Sequence, residues 1–137
     1  MSNIDANPNR FQSQITEVIN RQRLIAIALE RGYNAFLPVY DGGIDFILYR
    51  EDGKGGPADL KKVQLKGRWY IDKKYLGRDI WIAFPEGDNW YLAPHDELVR
   101  IGTGVGFTKT KSWVEGGAYG RKGLSKNLAT AMDPWRF

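Results

Sequence analysis

The spacing of apolar residues changes period near residue 32, and this limits the fold more than any other feature. From Phe11 to about Arg31, Ile15, Val18, Ile19, Ile25, Ala26 and Leu29 recur at three- and four-residue steps, which predicts a helix with one apolar stripe. Gly32 suits the C′ position that ends it. Beyond it the apolar runs are short. Ala35 to Tyr40 predicts a strand that Pro38 makes an edge strand or an irregular one, and Asp41-Gly42-Gly43 turns into a second strand, opened by Asp45 and running to Tyr49. A glycine-rich loop over 51–59 leads to a third from about Leu60 to Gly67. One helix followed by three strands in series implies a meander packed on that helix.

A polar stretch follows from Arg68 to Arg78. Two more strands are expected at Asp79–Phe84 and Trp90–Ala93, and one or two helical turns at Pro94–Arg100 with Asp96 and Glu97 placed early. Gly102, Gly104 and Gly106 read as breaks. A last helix fits Ser125 as N-cap and Lys126 to about Met132, stopped by Asp133-Pro134. The expected class is α+β, arranged α/β/α, with a central mixed sheet flanked by helices. The 137 residues fit one domain over 11–137, with 1–10 as a flexible N-terminal arm.

No run of about eighteen apolar residues occurs, so no membrane span is expected. Met1 to Asp5 lack the order of a secretory signal, and no cysteine is present, which excludes disulfides and Cys-based zinc sites. A cytoplasmic protein is expected. The net charge of +4 arises entirely after residue 104, where six basic residues meet two acidic ones. Lys109, Lys111, Arg121, Lys122 and Lys126 there are interleaved with Phe107, Trp113, Tyr119 and Trp135. Basic side chains beside aromatics suit a polyanion with stackable bases.

Two strand pieces carry polar residues that a buried strand does not need. Asp45 opens its strand after a glycine pair. Gln64 and Lys66 lie two apart, so they share one face while Val63 and Leu65 share the other. An acid, an amide and an ammonium on adjacent strands suit a divalent metal and a phosphate. Asp45 is the best ligand candidate, with Gln64 and the Leu65 carbonyl as further oxygen donors. Glu17, on the helix, is an accessory candidate. Read singly, each has a plainer role: Asp45 as the cap of its turn, Glu17 as surface, Gln64 and Lys66 as the solvent face of a strand. Arg68, Lys73, Lys74 and Arg78 are candidates for phosphate contacts. His95 is the only histidine and has no obvious partner, so it reads as structural.

Gly43-Ile44-Asp45 followed by Gln64-Leu65-Lys66 resembles the PD-(D/E)XK nuclease superfamily. Asp79 to Phe84 with Trp90 to Pro94 is similar to the strand pair that follows the motif in small single-domain members, among them group I intron homing endonucleases of this type. Lys111-Ser112-Trp113, Gly117-Ala118-Tyr119 and Leu124-Ser125-Lys126 are similar to their C-terminal segment. The resemblance implies a restriction-endonuclease-like core and a Mg²⁺-dependent DNA endonuclease, with Mn²⁺ as a substitute. Asp45 and Gln64 become metal ligands, Lys66 the catalytic lysine, and a helix glutamate an accessory ligand. A homodimer is expected where both strands are cut.

The chain departs from the pattern in three places. Gln64 stands where an acid is usual. Relatives carry the helix glutamate one turn after Glu17, where this chain has Arg21. Only twelve residues separate Lys66 from Asp79, so the helix usual there is short or displaced. Two rival readings remain open: a DNA-binding module without cleavage, and a protein-interaction domain using Trp81, Trp90, Trp113 and Trp135.

Overall fold

The computed structural model describes residues 8–56 and 58–137. Helix α1 spans Pro8–Glu30. Its end follows from Gly32, at φ 86°. There the Gly32 N–H donates to Leu29 O (3.0 Å) and the Tyr33 N–H to Ala28 O (2.9 Å), a Schellman ending. The flexible arm expected over 1–10 lies outside the described residues up to position 7; Pro8 to Arg10 are already helical.

The main sheet has five strands in the order β1 (Asn34–Phe36), β2 (Phe46–Arg50), β3 (Asp59–Leu65), β5 (Ile80–Glu86), β6 (Asn89–Pro94). β1, β2 and β3 form the expected antiparallel meander, β3 and β5 are parallel, and β6 returns antiparallel to β5. The class is therefore α+β, a mixed sheet flanked by helices, compatible with a restriction-endonuclease-like scaffold. The first strand is shorter than expected. It stops at Phe36, because Pro38 has no N–H to donate to a ladder.

The polar stretch 68–78 is not a loop. Trp69–Asp72 forms β4, which pairs antiparallel with β7 (Ala118–Arg121) in a second, two-stranded sheet. A 3-10 turn, Lys73–Tyr75, follows, capped by the Asp72 carboxylate. It stands where a helix was expected to be short or displaced. Helix α2 spans His95–Gly104 and so runs through Gly102 and Gly104, two of the three glycines that read as breaks; Gly106, at φ 89°, stands beyond its end. Helix α3 is Lys111–Gly116 and α4 is Lys126–Met132, with Ser125 as its N-cap, accepting from the Leu128 N–H.

Alternation along β5 and β6 divides the core between the two faces of the sheet. Ile80, Ile82, Phe84, Tyr91 and Ala93 pack with Trp69, Ile71, Leu98, Ile101, Leu128 and Met132, under α2, α4 and the β4–β7 pair. Ala83, Trp90 and Leu92 pack on the other face with Phe46, Leu48, Val63 and two α1 residues, Leu24 and Ala28. Among the described residues no helix is long and apolar enough to cross a membrane.

Candidate functional site

The site begins with a turn. The Asp41 carboxylate accepts from the N–H groups of Gly43 (2.9 Å) and Ile44 (3.2 Å), which closes an Asx turn. Capping therefore falls to Asp41, and Asp45 is free of that task. Gly43 sits at φ 91°, a region most residues avoid, and a Cβ there would lie 3.4 Å from the Arg78 guanidinium. Arg78 donates to Gly42 O (2.8 Å), and Lys62 Nζ donates to Arg78 O (2.7 Å). The turn is thus clamped to the segment that enters β5.

Asp45 lies one residue before β2. Its N–H donates to Val63 O (2.8 Å), and its Oδ2 accepts from the Leu65 N–H (2.7 Å). Phe46 pairs with Val63, so extending that register by one residue sets Asp45 opposite Gln64. Burial pushes the Asp45 carboxyl above its ordinary range. The Leu65 N–H opposes this, while the charges of Asp41 and Glu17 reinforce it. The Gln64 side-chain oxygen is buried without a hydrogen-bond partner. A buried acceptor without a protein partner is costly, so this oxygen is available to accept or to ligate.

Lys66 follows β3, and its N–H donates to Ala83 O (2.9 Å), which carries the ladder one step further. Its ammonium lies 4.6 Å from the ring centre of Tyr70 and 5.7 Å from that of Tyr75. Burial lowers its pKa and the Lys74 charge adds to this, against the pull of Asp45, Asp72 and Glu17. Tyr70 is fixed in turn, since its hydroxyl donates to Asp72 Oδ2 (2.7 Å).

Helix α1 forms the opposite wall. Gln12, Ser13, Thr16, Glu17, Asn20 and Arg21 line one side of a cleft of about 560 Å³; Asp45 and residues 64–68 line the other. Asp45, Gln64, Leu65, Lys66, Glu17 and Arg68 thus share one cavity, and Arg21 shares it too. Among the described residues no group of three or more His, Cys, Asp or Glu is placed to hold a metal ion. The oxygen donors that meet here are the half-buried Asp45 carboxylate, an amide and a backbone carbonyl, with the Glu17 carboxylate across the cleft.

The remaining sequence candidates stand elsewhere. Lys73 and Lys74 are exposed on the 3-10 turn, Lys73 lying 5.5 Å from the Trp113 ring centre and Lys74 paired with Asp72 (3.8 Å). Trp113 is in the core at 8% exposure, so its ring packs inside rather than facing outward. Lys109, Lys111, Lys122 and Lys126 are exposed, Lys111 within 3.8 Å of Glu115. Arg121 donates to Gly123 O (3.0 Å). None of these lines the cleft. His95 is structural: buried at 1%, its Nε2 accepts from the Asp72 N–H (3.0 Å), and its Nδ1 faces Asp96 Oδ1 (3.0 Å). Burial lowers its pKa, which favours the neutral ring that such an acceptor requires.

The sequence reading missed Asp41, Tyr70 and Tyr75. The first was visible in Asp-Gly-Gly turn chemistry; the two tyrosines gave no signal, because their strand and turn were not foreseen. Comparison with family models, with curated proteins and with solved structures finds no match to this chain.

Proposed function

We propose that the cleft hydrolyses phosphodiester bonds of DNA in the manner of a PD-(D/E)XK endonuclease. The observation that carries this reading is the unpartnered Gln64 oxygen opposite Asp45, within reach of the lysine-bearing end of β3. Asp45 Oδ2 is taken by the Leu65 amide, which leaves Oδ1 for a ligand. Asp45, Gln64 and the Leu65 carbonyl fit the oxygen preference of Mg²⁺, or Mn²⁺ in its place, with Glu17 reaching from α1. Bound there, the ion would lower the pKa of a water and offset negative charge on the phosphate.

The chain's own residues do the rest. Lys66, held against two tyrosine faces, offers its ammonium to the charge that builds up on the phosphate oxygens. Arg21 and Arg68 on opposite walls attract the flanking phosphates. One chain carries one such cleft, so cutting both strands calls for a homodimer.

One observation favours a second reading, a DNA-binding module of the same fold without cleavage. No three metal-ligating acids or histidines come together among the described residues. Cleavage of supercoiled and branched DNA with Mg²⁺ or Mn²⁺ separates the two. Metal-dependent nicking is expected, and Lys66→Ala should slow it about 100- to 1,000-fold, as for other lost transition-state donors. Asp45→Ala should abolish it. Salt-sensitive binding without nicking by any of the three proteins would establish the second reading.

A further inference from the structure

The two-stranded sheet carries a glycine that its backbone does not require. Gly117 and Gly123, on either side of β7, sit at φ 81° and 83°, where glycine is favoured. Gly120, inside β7, has no such φ, so the reason for it is space. It pairs with Tyr70 of β4, and a Cβ there would lie 3.1 Å from Tyr70 Cδ2 and 3.5 Å from Arg68 Cδ. A glycine within a strand marks a close approach, and here the Tyr70 ring and the Arg68 stem lie across it. Trp69 and Ile71, the neighbours of Tyr70, are fully buried in the core, so alternation turns the half-buried Tyr70 to the other face of the ribbon.

The same ring faces the lysine of the cleft. The Lys66 ammonium lies 4.6 Å from its centre, and among the described residues no carboxylate forms an ion pair with that ammonium. A ring face attracts a cation yet leaves its N–H groups free to donate, whereas a paired carboxylate would cancel the charge. Tyr70 is itself anchored. Its hydroxyl donates to Asp72 Oδ2 (2.7 Å), Asp72 Oδ1 accepts from the Lys74 N–H (3.0 Å), and the Asp72 N–H donates to His95 Nε2 (3.0 Å). Burial and the Asp72 carboxylate push the Tyr70 hydroxyl above its ordinary range, which keeps it a donor. We propose that Tyr70 is a positioning residue for Lys66, with Gly120 as the bare floor that sets its ring. The two-stranded sheet thereby aims the lysine into the cleft. The consequence for catalysis rests on the phosphodiester reading; the placement of the lysine does not.

Two readouts on the full chain test this. In proton–carbon correlation spectra of lysine-labelled protein, without DNA or metal, the Lys66 ε-methylene protons should resonate upfield of those of the exposed Lys122, because the end of the Lys66 side chain lies over a ring face. Lys66→Arg assigns the signal. Tyr70→Leu should remove most of the displacement and Gly120→Val part of it; valine favours a strand, so the ribbon is kept. Tyr70→Phe should keep most of it. In single-turnover nicking with Mg²⁺, Tyr70→Leu should slow the chemical step about tenfold with DNA affinity unchanged, and Tyr70→Phe should recover most of that rate. In a Lys66→Ala background, Tyr70→Leu should slow nicking no further. A Lys66 signal at the ordinary lysine position, or a Tyr70→Leu effect as large without Lys66 as with it, overturns the proposal. A wild type that never nicks overturns the phosphodiester reading, and the Lys66 signal then decides the placement by itself.

Discussion

The two sides of the central sheet are built differently. One is roofed by many short elements, α2, α4, a 3-10 turn and the β4–β7 pair, which together bury Trp69, Ile71, Leu98, Leu128 and Met132 completely. The other is covered more thinly, by the second half of α1, which contributes Leu24 and Ala28, with Tyr33 and the C-terminal Phe137 beside it. The first half of α1 leaves the sheet uncovered there, and the cleft opens between the two. Chemistry needs access and partial desolvation together. Here the cleft lies where the first half of α1 faces the ends of β2 and β3.

Substitutions on the two sides can break that comparison. Trp69→Ala should cost the most, about 3–5 kcal/mol in chemical denaturation, because it empties the centre of the roofed side. Trp69→Phe should cost far less, since the indole N–H is buried without a partner and its loss removes a penalty. Leu24→Ala should cost about 2–4 kcal/mol; a value equal to that of Trp69→Ala would mean that the thinly covered side is packed just as firmly. Gly102→Ala should cost about 1–3 kcal/mol, as its new Cβ would lie 2.9 Å from the Trp69 ring. A neutral result there would show that the roof yields.

Ser125→Ala should cost about 1 kcal/mol by removing the α4 cap. The smallest effect sharpens the picture on the cleft side. The Asp45 pKa is raised by burial, so the folded protein holds that proton more tightly than the unfolded chain does. The stability it contributes is present at low pH and is lost as pH rises through the folded value. Asp45→Asn should therefore raise the unfolding midpoint at pH 7 relative to wild type. That gain should vanish below about pH 4, where the unfolded carboxyl also binds its proton. Urea titrations at the two pH values measure it; a gain at pH 4 as large as at pH 7 would sink the idea.

Where local pattern and packing agree, the structure was legible from residues alone. The helical period of α1, the αL glycine at 32, the continuous apolar run of β5 and the serine cap of α4 each have a local cause. The apolar stripe did not tell which side of α1 packs: Leu24 and Ala28, outside it, face the sheet, while Ile15, Val18, Ile19 and Leu29 are exposed. Alternation alone put Gln64 and Lys66 on one face, and the register with β2 brings Asp45 to them. What stayed hidden depends on distant partners. Trp69-Tyr70-Ile71-Asp72 is too short to show a period, and it becomes a strand only because Ala118–Arg121 lies beside it. Gly102 sits inside a helix because the Trp69 ring packs against it, a contact invisible in a local window. Trp113 reads as a possible stacking surface until the elements that bury it are placed.

The hydrogen bond from Arg78 to Gly42 O has a consequence for synthesis of the chain. A nascent polypeptide that has emerged as far as residue 66 already carries Glu17, Asp45, Gln64 and Lys66. It still lacks the clamp on the turn before Asp45, the tyrosine faces that hold Lys66, and the β5 strand whose Ala83 carbonyl anchors it. The acidic turn and the lysine acquire their final geometry only after the chain has passed residue 83. A ribosome holding a shorter piece displays the cleft's side chains without the cleft.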